Sequence, residues 1–167
     1  SEAVDAFNLD HFVRITGDAI LCDASMIDKA IISHLARSCD VTFMKDMPFG
    51  THKEVVSAST IKTIIENASN PNNTEYLEYY LENNRNFNVN YISSGYKFNK
   101  KLRMTLDYKE DLEFFRKIYS HFSEINPNFS LESAIEWLDN NESVIHINSN
   151  MTQKTPLNLN LDVSLNI

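Results

Sequence analysis

The stretch F-V-R-I-T-G-D-A-I-L-C-D, residues 12–23, contains the pattern that decides the fold. A short apolar run ends at Gly17, and the carboxylate of Asp18 follows immediately. A turn alone would explain this order, because glycine and aspartate are both common in turns. The alternative is a carboxylate held at the end of a buried strand, where it could bind a metal ion.

Length and composition indicate one compact domain with an apolar core. The chain has 167 residues, of which 43% are hydrophobic. Its formal net charge is -8, and no cluster of lysine and arginine is dense enough to follow a phosphate backbone, so we expect no nucleic-acid partner. There is no apolar run of membrane-spanning length and no signal-peptide pattern. We therefore expect a cytoplasmic protein that does not associate with membranes.

Cysteine and histidine show no pattern of metal ligands. Cys22 and Cys39 match neither zinc nor redox spacing, so we predict reduced, buried thiols. The histidines are scattered, and no two of them lie three or four positions apart. We interpret them as individual surface or core residues.

Apolar periodicity predicts strands and helices in alternation. The predicted strands are 11–16, 41–44, 53–57, 87–91 and 102–106, and the predicted helices are 1–7, 25–38, 59–67, 74–84, 109–122 and 130–138. In the helix 109–122, the residues predicted to face inward are Leu112, Phe115, Ile118, Tyr119 and Phe122. Such alternation favours an α/β fold with a mostly parallel sheet flanked by helices.

Two of the predicted strands end in an aspartate, in I-T-G-D at Asp18 and in M-T-L-D at Asp107. Ligands of α/β sheets bind beyond the carboxyl ends of the strands. Mg²⁺ is usually held by one or two carboxylates together with substrate phosphates, so the two aspartates are a candidate half-site. The alternative is that Asp18 closes a turn and Asp107 caps the helix that begins near Lys109.

Two longer motifs carry a family resemblance. R-I-T-G-D-A-I-L-C-D-A-S-M-I-D, residues 14–28, resembles the R-[IV]-T-G-D-x-P-L-x-D-P-x-x-[IV]-D segment of the cytidylyltransferases of the spore coat polysaccharide type, which are related to the CMP-sialic acid and CMP-KDO synthetases. L-R-M-T-L-D-Y-K-E-D-L-E-F-F-R-K-I-Y, residues 102–119, is similar to their [RW]-x-T-[VL]-D-x-P-E-D-L-x-x-[VI]-R-x-I-Y segment. Weaker similarities, in the family's order, lie at 40–44, 53–57 and 129–148.

The resemblance implies a fold and a reaction. The fold is that of a Rossmann-like nucleotidyltransferase (GT-A-like), with a mixed, mostly parallel sheet that lacks the N-terminal strands, so that the chain corresponds to the C-terminal two-thirds of such an enzyme. The reaction joins CTP to a hydroxyl of an acidic or amino sugar and releases pyrophosphate. The product is a CMP-activated sugar for surface polysaccharide or glycan biosynthesis.

The resemblance also implies roles for particular residues. Asp18 and Asp107 match the family's Mg²⁺ ligands, and Gly17, Arg14 and Glu54 fall on the substrate side of the site. Arg14 could face phosphates or pair with an acid, and we favour the structural pair. Related enzymes are commonly dimers, so we expect a homodimer.

The sequence departs from the family where nucleotide and sugar should bind. The family's nucleotide-binding loop, A-R-x-G-S-x-R-[LF]-P-x-K, does not occur in this sequence. P-F-G-T-H at 48–52 stands in place of P-D-G-L-D, and N-T-E-Y-L-E-Y at 73–79 in place of R-E-H-V-T-P-Y. We therefore expect no CTP-dependent transferase activity from this chain by itself. The second hypothesis is a non-catalytic α/β domain of that family, acting in binding or assembly, and a nucleotide-binding loop in upstream coding sequence would favour the enzyme.

The last residues follow a different pattern. In T-P-L-N-L-N-L-D-V-S-L-N-I, residues 155–167, apolar and polar residues alternate strictly, which predicts a strand. We divide the chain into an α/β domain, residues 1–150, and a C-terminal tail, residues 151–167. A strand of this kind needs a partner edge, either in its own sheet or in a second copy of the chain.

Overall fold

The computed structural model describes residues 2–70, 76–82, 84–153 and 162–166 of the chain. The strands in these residues are β1 (His11–Arg14), β2 (Val41–Lys45), β3 (Glu54–Ser57) and β4 (Val89–Ser93). The helices are α1 (Glu2–Ala6), α2 (Ala24–Arg37), α3 (Ala58–Asn67), α4 (Leu77–Leu81), α5 (Lys109–Phe122), α6 (Leu131–Asp139) and α7 (Glu142–Ile145). The start of the predicted helix 74–84 lies outside the described residues.

The four strands form one mixed sheet in the order β1-β3-β2-β4. β3 is antiparallel to both β1 and β2, whereas β2 and β4 are parallel, with Val41 opposite Val89. Three of these strands therefore run in one direction and β3 runs in the other. β2 and β3 are antiparallel because the segment 46–53 that joins them is too short for a parallel crossover. The mixed sheet flanked by helices confirms the predicted fold class.

The strand predicted at 102–106 is wrong. Arg103 makes only an isolated bridge with Phe49, and the amide of Met104 donates to the carbonyl of Phe49 over 2.7 Å. The amide of Leu106 donates to the carbonyl of Asp18. Because the backbone of this segment bonds to two turns instead of one extended neighbour, no ladder forms.

Gly50 makes the close passage beside this segment possible. Its φ is +92°, and a Cβ added there would lie 2.6 Å from the carbonyl oxygen of Met104. A side chain at this position would meet both steric overlap and backbone strain. The glycine of the P-F-G turn therefore allows the 102–106 segment to reach the end of the sheet where Asp18 lies.

Two apolar clusters cover the two faces of the sheet. Alternate residues of a strand point to opposite faces, and accordingly Val55 packs in one cluster and Val56 in the other. Helices α2, α5 and α6 contribute to the first cluster, through residues such as Met26, Phe114 and Leu138. Helices α3 and α4 contribute to the second. All of β3 is buried, as expected for an interior strand covered on both sides.

Helix α5 has the predicted limits, and Phe115, Ile118 and Phe122 are buried as predicted, but the buried face is shifted. Its buried residues are Asp111, Phe114, Phe115, Ile118 and Phe122. Leu112 and Tyr119, which were predicted to face inward, are 39% and 42% exposed. The buried carboxylate of Asp111 explains the difference, because its ion pair with Arg103 turns that face of the helix toward the core.

Substitutions on α5 test this orientation. We expect Phe114→Leu to lower the free energy of unfolding by about 1–2 kcal/mol, because it leaves a void in the core. The control Leu112→Met should change it by less than about 0.5 kcal/mol, since Leu112 is partly exposed. Urea unfolding followed by circular dichroism measures both. Equal losses for the two variants would contradict this orientation of α5.

A buried histidine links α2 to the sheet. The ring of His34 is fully buried, with Nδ1 3.1 Å from the hydroxyl of Thr42 and Nε2 3.1 Å from Nδ1 of His11. The periodicity of α2 places His34 inside, but the contact between two histidines so far apart in sequence was not predicted. Burial and the neighbouring His11 lower the pKa of His34, and the charge of Asp40 only partly opposes them.

This lowered pKa predicts a pH dependence of stability. An unfolded chain binds a proton at His34 more readily than the folded chain, so stability should fall as the pH drops below about 6.5. Urea unfolding at about pH 7.5 and about pH 5.5 should show this loss. His34→Gln should reduce the difference between the two pH values, whereas the exposed control His146→Gln should leave it unchanged. If the difference in stability between the two pH values were unchanged in His34→Gln, the pH dependence would come from other titratable groups.

The described part of the C-terminal tail lies beside the end of α3. Leu165 makes an isolated antiparallel bridge with Ala68, and the amide of Ser69 donates to the carbonyl of Ser164. Val163 and Leu165 pack against the second apolar cluster. Within residues 162–166 the predicted tail strand makes this isolated bridge and no ladder. Its residues 155–161 and 167 lie outside the described residues, so the two-part division remains a prediction. Cys22 and Cys39 are both free thiols, as predicted, but only Cys39 is buried as predicted, whereas Cys22 is half-buried.

Candidate functional site

A cavity of about 340 Å³ lies where the turn after β1, the start of β3, the 103–107 segment and α4 come together. Four of the five predicted site residues line it: Arg14, Asp18, Glu54 and Asp107. Gly17 does not line the cavity, and a Cβ added to it would meet nothing within 4 Å. The structure therefore brings together every predicted site residue except Gly17.

The two aspartates meet at one hydroxyl group. Thr105 Oγ1 lies 2.8 Å from Asp18 Oδ2 and 3.5 Å from Asp107 Oδ2. Asp18 lies in the turn after β1, and this turn forms part of the cavity wall. The two interpretations of Asp18, as a turn residue and as a residue of a binding site, are therefore compatible. Asp107 precedes Tyr108, which is the N-cap of α5, so Asp107 itself does not cap that helix. Both carboxylates line one cavity, but neither follows a strand directly, which the sequence had predicted, because β1 ends at Arg14 and residues 102–106 form no strand. Their role as metal ligands remains a prediction.

Asp18 is held in its ionised form. Burial acts to raise the pKa of its carboxyl group. Hydrogen bonds from the hydroxyls of Thr16 and Thr105, its own backbone amide and the charge of Lys53 outweigh this effect, and the pKa lies below its ordinary value. Lys53 is 8% exposed and donates to the carbonyl of Gly50 over 3.2 Å.

A buried ion network fixes Asp107. The guanidinium of Arg103 donates to Asp107 Oδ2, and its Nε donates to Asp111 Oδ1 over 3.0 Å. Asp111 is fully buried and also accepts from the side-chain amide of Asn148 and from the backbone amides of Asp107 and Tyr108. Burial acts to raise the pKa of Asp111, but these donors, with Arg103 first, bring it below its usual range. The carboxylate of Asp107 is therefore oriented by residues inside the core.

The opposite wall of the cavity carries two further ion pairs. Arg14 Nε donates to Glu54 Oε1 over 2.8 Å, which is the structural pairing favoured from the sequence. His52 Nε2 lies 3.7 Å from Glu78 Oε2, and both side chains are 36% exposed. The contact with His52 lowers the pKa of Glu78, together with the charges of His52, Arg14 and Lys53, against the opposing effect of burial.

Sequence reasoning missed several of these residues, among them Arg103, His52 and Glu78. Arg103 had a signal, because it occupies the [RW] position of the second motif and lies four residues before Asp107. His52 and Glu78 had none, because they stand where the sequence departs from the family and they meet only in the folded chain.

The donor set suits a hard divalent cation. The two carboxylates and the hydroxyl of Thr105 offer oxygen ligands, which Mg²⁺ prefers, beside an open cavity. In the part of the chain that the structure describes, no group of three or more histidine, cysteine, aspartate or glutamate side chains is placed to hold a metal ion. The residues present fit at most part of such a site, whose remaining ligands would have to come from phosphate oxygens and water.

Comparisons with known proteins find two relatives by sequence and one by structure. No family model matches the chain. It is 30% identical over 148 residues to the uncharacterized protein MJ1063 of Methanocaldococcus jannaschii, and 27% identical over 143 residues to the spore coat polysaccharide biosynthesis protein SpsF of Bacillus subtilis. These matches cover 87% and 84% of this chain but 60% and 59% of the relatives, so the chain spans well under two-thirds of their length.

A solved structure extends the likeness to three dimensions. A cytidylyltransferase from Leptospira borgpetersenii superposes with a TM-score of 0.76 at 25% identity. The match covers 92% of this chain and 65% of that chain. Among the described helices, none is long and apolar enough to cross a membrane.

Proposed function

We propose that the chain, which is similar to the spore coat polysaccharide biosynthesis protein SpsF and to a cytidylyltransferase of solved structure, carries the metal-binding and sugar-binding side of a site that makes a CMP-activated sugar from CTP. The observation that carries the proposal is the meeting of Asp18 and Asp107 at the hydroxyl of Thr105. The product would serve the synthesis of a surface polysaccharide or glycan.

Asp18 and Asp107 would hold one Mg²⁺ ion. When bound, the ion supplies positive charge that stabilises the negative charge developing on phosphate oxygens. The lowered pKa of Asp18 suits this role, since a metal ligand must be deprotonated. Arg103 keeps the carboxylate of Asp107 in one orientation, so the Asp107 side chain would lose little conformational entropy when the metal binds.

The opposite wall would position the sugar. Glu54 is 4% exposed and its carboxylate is fixed by Arg14, so it can accept a hydrogen bond from a sugar hydroxyl in a defined direction. Lys53 adds a positive charge near Asp18, on the side where phosphate groups would lie. Alignment of a hydroxyl on the α-phosphate is the main task of such a site, because the protein itself forms no covalent bond.

The rival function is a non-catalytic domain used in binding or assembly. It gives no reason for two carboxylates to be oriented on one cavity wall, one of them, Asp18, with a lowered pKa. Magnesium titration by isothermal calorimetry, with and without CMP, separates the two functions. We expect saturable binding that is lost in the double variant Asp18→Asn, Asp107→Asn, and a wild-type chain that binds no Mg²⁺ would favour the rival.

The chain by itself should not turn over CTP. A nucleotide triphosphate needs backbone N–H donors and a basic side chain at its β- and γ-phosphates, and no glycine-rich loop of that kind occurs in these 167 residues. We expect no pyrophosphate release above the rate without protein when the chain is mixed with CTP, Mg²⁺ and an acidic or amino sugar. A coupled pyrophosphatase assay measures this release. Steady release would contradict the proposal that the chain carries the metal-binding and sugar-binding side of the site without the nucleotide-binding loop.

A homodimer is a further proposal. Residues 155–167 carry six apolar side chains in alternation, and exchange of this segment between two copies would bury them. Sedimentation tests it, because deletion of 155–167 should shift a dimer toward monomer or aggregate. An unchanged, well-folded dimer would show that the tail is not part of the dimer interface.

A further inference from the structure

Strand β1 forms one edge of the sheet that the structure describes. The amide of Ala58 donates to the carbonyl of Asp10 over 2.8 Å, at the start of the antiparallel ladder between β1 and β3. Backbone groups of an antiparallel strand alternate in direction, so the even-numbered residues of β1 bond to β3. The backbone N–H and C=O groups of His11 and Val13 therefore face away from the sheet, along an edge that can accept a further strand.

A groove of about 440 Å³ lies beside this edge on each face of the sheet. On the face that α2 covers, the groove is lined by Ile31 and Leu35, and Leu35 is 52% exposed. On the face that α3 covers, it is lined by Ile61, Ile65 and Ile15, of which Ile15 is 52% exposed. Apolar grooves on both faces favour a strand that is apolar on both of its sides, like an interior strand of an α/β sheet.

The other strands available in this chain do not match the two grooves. Residues 157–167 alternate, so a strand formed by them would place asparagine and aspartate side chains in one of the grooves. A second copy of β1 would bring its own His11 and Arg14, one to each face of the sheet. The grooves therefore favour a strand that is neither the tail nor a second β1.

The cavity indicates the direction of the added strand. Asp18 lies in the turn at the C-terminal end of β1 and lines the cavity. A strand parallel to β1 ends on the same side of the sheet, so the loop after it would lie beside the cavity. Backbone N–H groups of such a loop bind phosphates, and no glycine-rich loop of this kind occurs in these 167 residues. The relatives are long enough to contain such a segment, because this chain covers 60% of MJ1063 and 65% of the solved cytidylyltransferase.

We propose that the outer edge of β1 binds a strand of a partner polypeptide, which is parallel to β1, apolar on both faces and followed by an anion-binding loop. The direction of this strand rests on the proposed function, whereas the free edge and its two grooves do not. Docking covers Ile15 and Leu35, and it brings donors for the β- and γ-phosphates to the side of the cavity where Asp18 lies.

Hydrogen exchange of backbone amides tests the edge directly. The probe is the part of MJ1063 that precedes its match with this chain, co-expressed with the 167-residue chain. We expect the two polypeptides to purify together, and the amides of His11 and Val13 to exchange about 100-fold more slowly, or slower still, than in the chain alone. The amides of Phe12 and Arg14 face β3 and should be protected in both samples.

The direction of the strand is measured separately. A nitroxide label placed directly after the added strand of the probe should broaden the amide signal of Thr16, which follows β1, more than that of Asp10, which precedes it. Stronger broadening at Asp10 would contradict the parallel direction.

Variants of exposed residues locate the binding surface. Leu35→Glu and Ile15→Glu, one in each groove, should each weaken the complex about tenfold or more, because each places a charge against an apolar strand. The matched control is Ile125→Glu, since Ile125 is 68% exposed and lines neither groove. It should bind the probe as wild type does.

Several results would overturn the inference. The first is a probe that does not bind, or that binds without protecting His11 and Val13. Protection of these amides in the chain alone would also overturn it, because a rise with protein concentration would identify a second copy at the edge, and a loss on deletion of 155–167 would identify the tail. Failure of the proposed function is visible separately, in magnesium binding by Asp18 and Asp107 in the chain alone.

Discussion

Replacement of Asp111 by alanine should destabilise the protein by about 3–5 kcal/mol, because it removes the fully buried one of the two carboxylates that pair with the guanidinium of Arg103. Asp111 is fully buried and Arg103 is 5% exposed, so water cannot take the place of the missing carboxylate. The backbone amides of Asp107 and Tyr108 lose their acceptor at the same time. Urea unfolding followed by circular dichroism measures the loss.

The matched control is an ion pair of similar geometry on the surface. Lys62 Nζ lies 3.0 Å from Asp5 Oδ1, but both side chains are more than half exposed. Asp5→Ala should therefore change stability by less than about 1 kcal/mol. If Asp111→Ala lowered the free energy of unfolding as little as Asp5→Ala does, the ion network around Arg103 would not stabilise the fold.

Acid should weaken the same network. The pKa of Asp111 is lowered in the folded chain, so its contribution is complete above the ordinary aspartate value of 3.8. As the pH falls below that value, the unfolded chain takes up the proton first and the contribution is lost. Wild type should therefore lose more stability between about pH 5 and about pH 3 than Asp111→Asn does. Equal losses would show that other carboxylates dominate.

Loss of either cavity aspartate should abolish the proposed metal site. We expect Asp18→Asn and Asp107→Asn each to weaken Mn²⁺ binding by about 100-fold or more, because a half-site with one carboxylate has lost half of its charge. Mn²⁺ is the probe because its paramagnetism reports binding directly through water proton relaxation.

The control for these variants is an acid of the same motif that lies outside the cavity. Asp28 is exposed on α2, and Asp28→Asn removes the same charge from the protein without touching the site. It should bind Mn²⁺ as wild type does. A loss of binding in Asp28→Asn equal to that of the cavity variants would indicate a general effect of net charge.

The sequence predicts much of this fold because local periodicity decides most of its elements. Helix α5 has the limits that its pattern predicted, and β1, β2, β3 and β4 lie within two residues of their predicted places. The buried face of α5 could not be read from apolar spacing, because a charged residue, Asp111, occupies it. Only the partner Arg103 makes that burial favourable, and the pairing appears in three dimensions.

The same distinction applies to the candidate site. Asp18 and Asp107 follow from two short motifs, and the structure places both on one cavity wall. The apolar and polar residues of 102–106 alternate as in a strand, but the backbone hydrogen bonds of this segment go to turns, so the predicted strand does not form. His52 and Glu78 meet through tertiary folding, as do His11 and His34, and no spacing in the sequence records such contacts.

The central claim is that Asp18 and Asp107 share one divalent cation, and anomalous diffraction from crystals soaked in Mn²⁺ tests it most directly. The account predicts one strong anomalous peak within bonding distance of an oxygen from each of the two carboxylates, with Arg103 still paired to Asp107. A peak bound elsewhere, or no peak at saturating Mn²⁺ while Asp18 and Asp107 are well ordered, would contradict it.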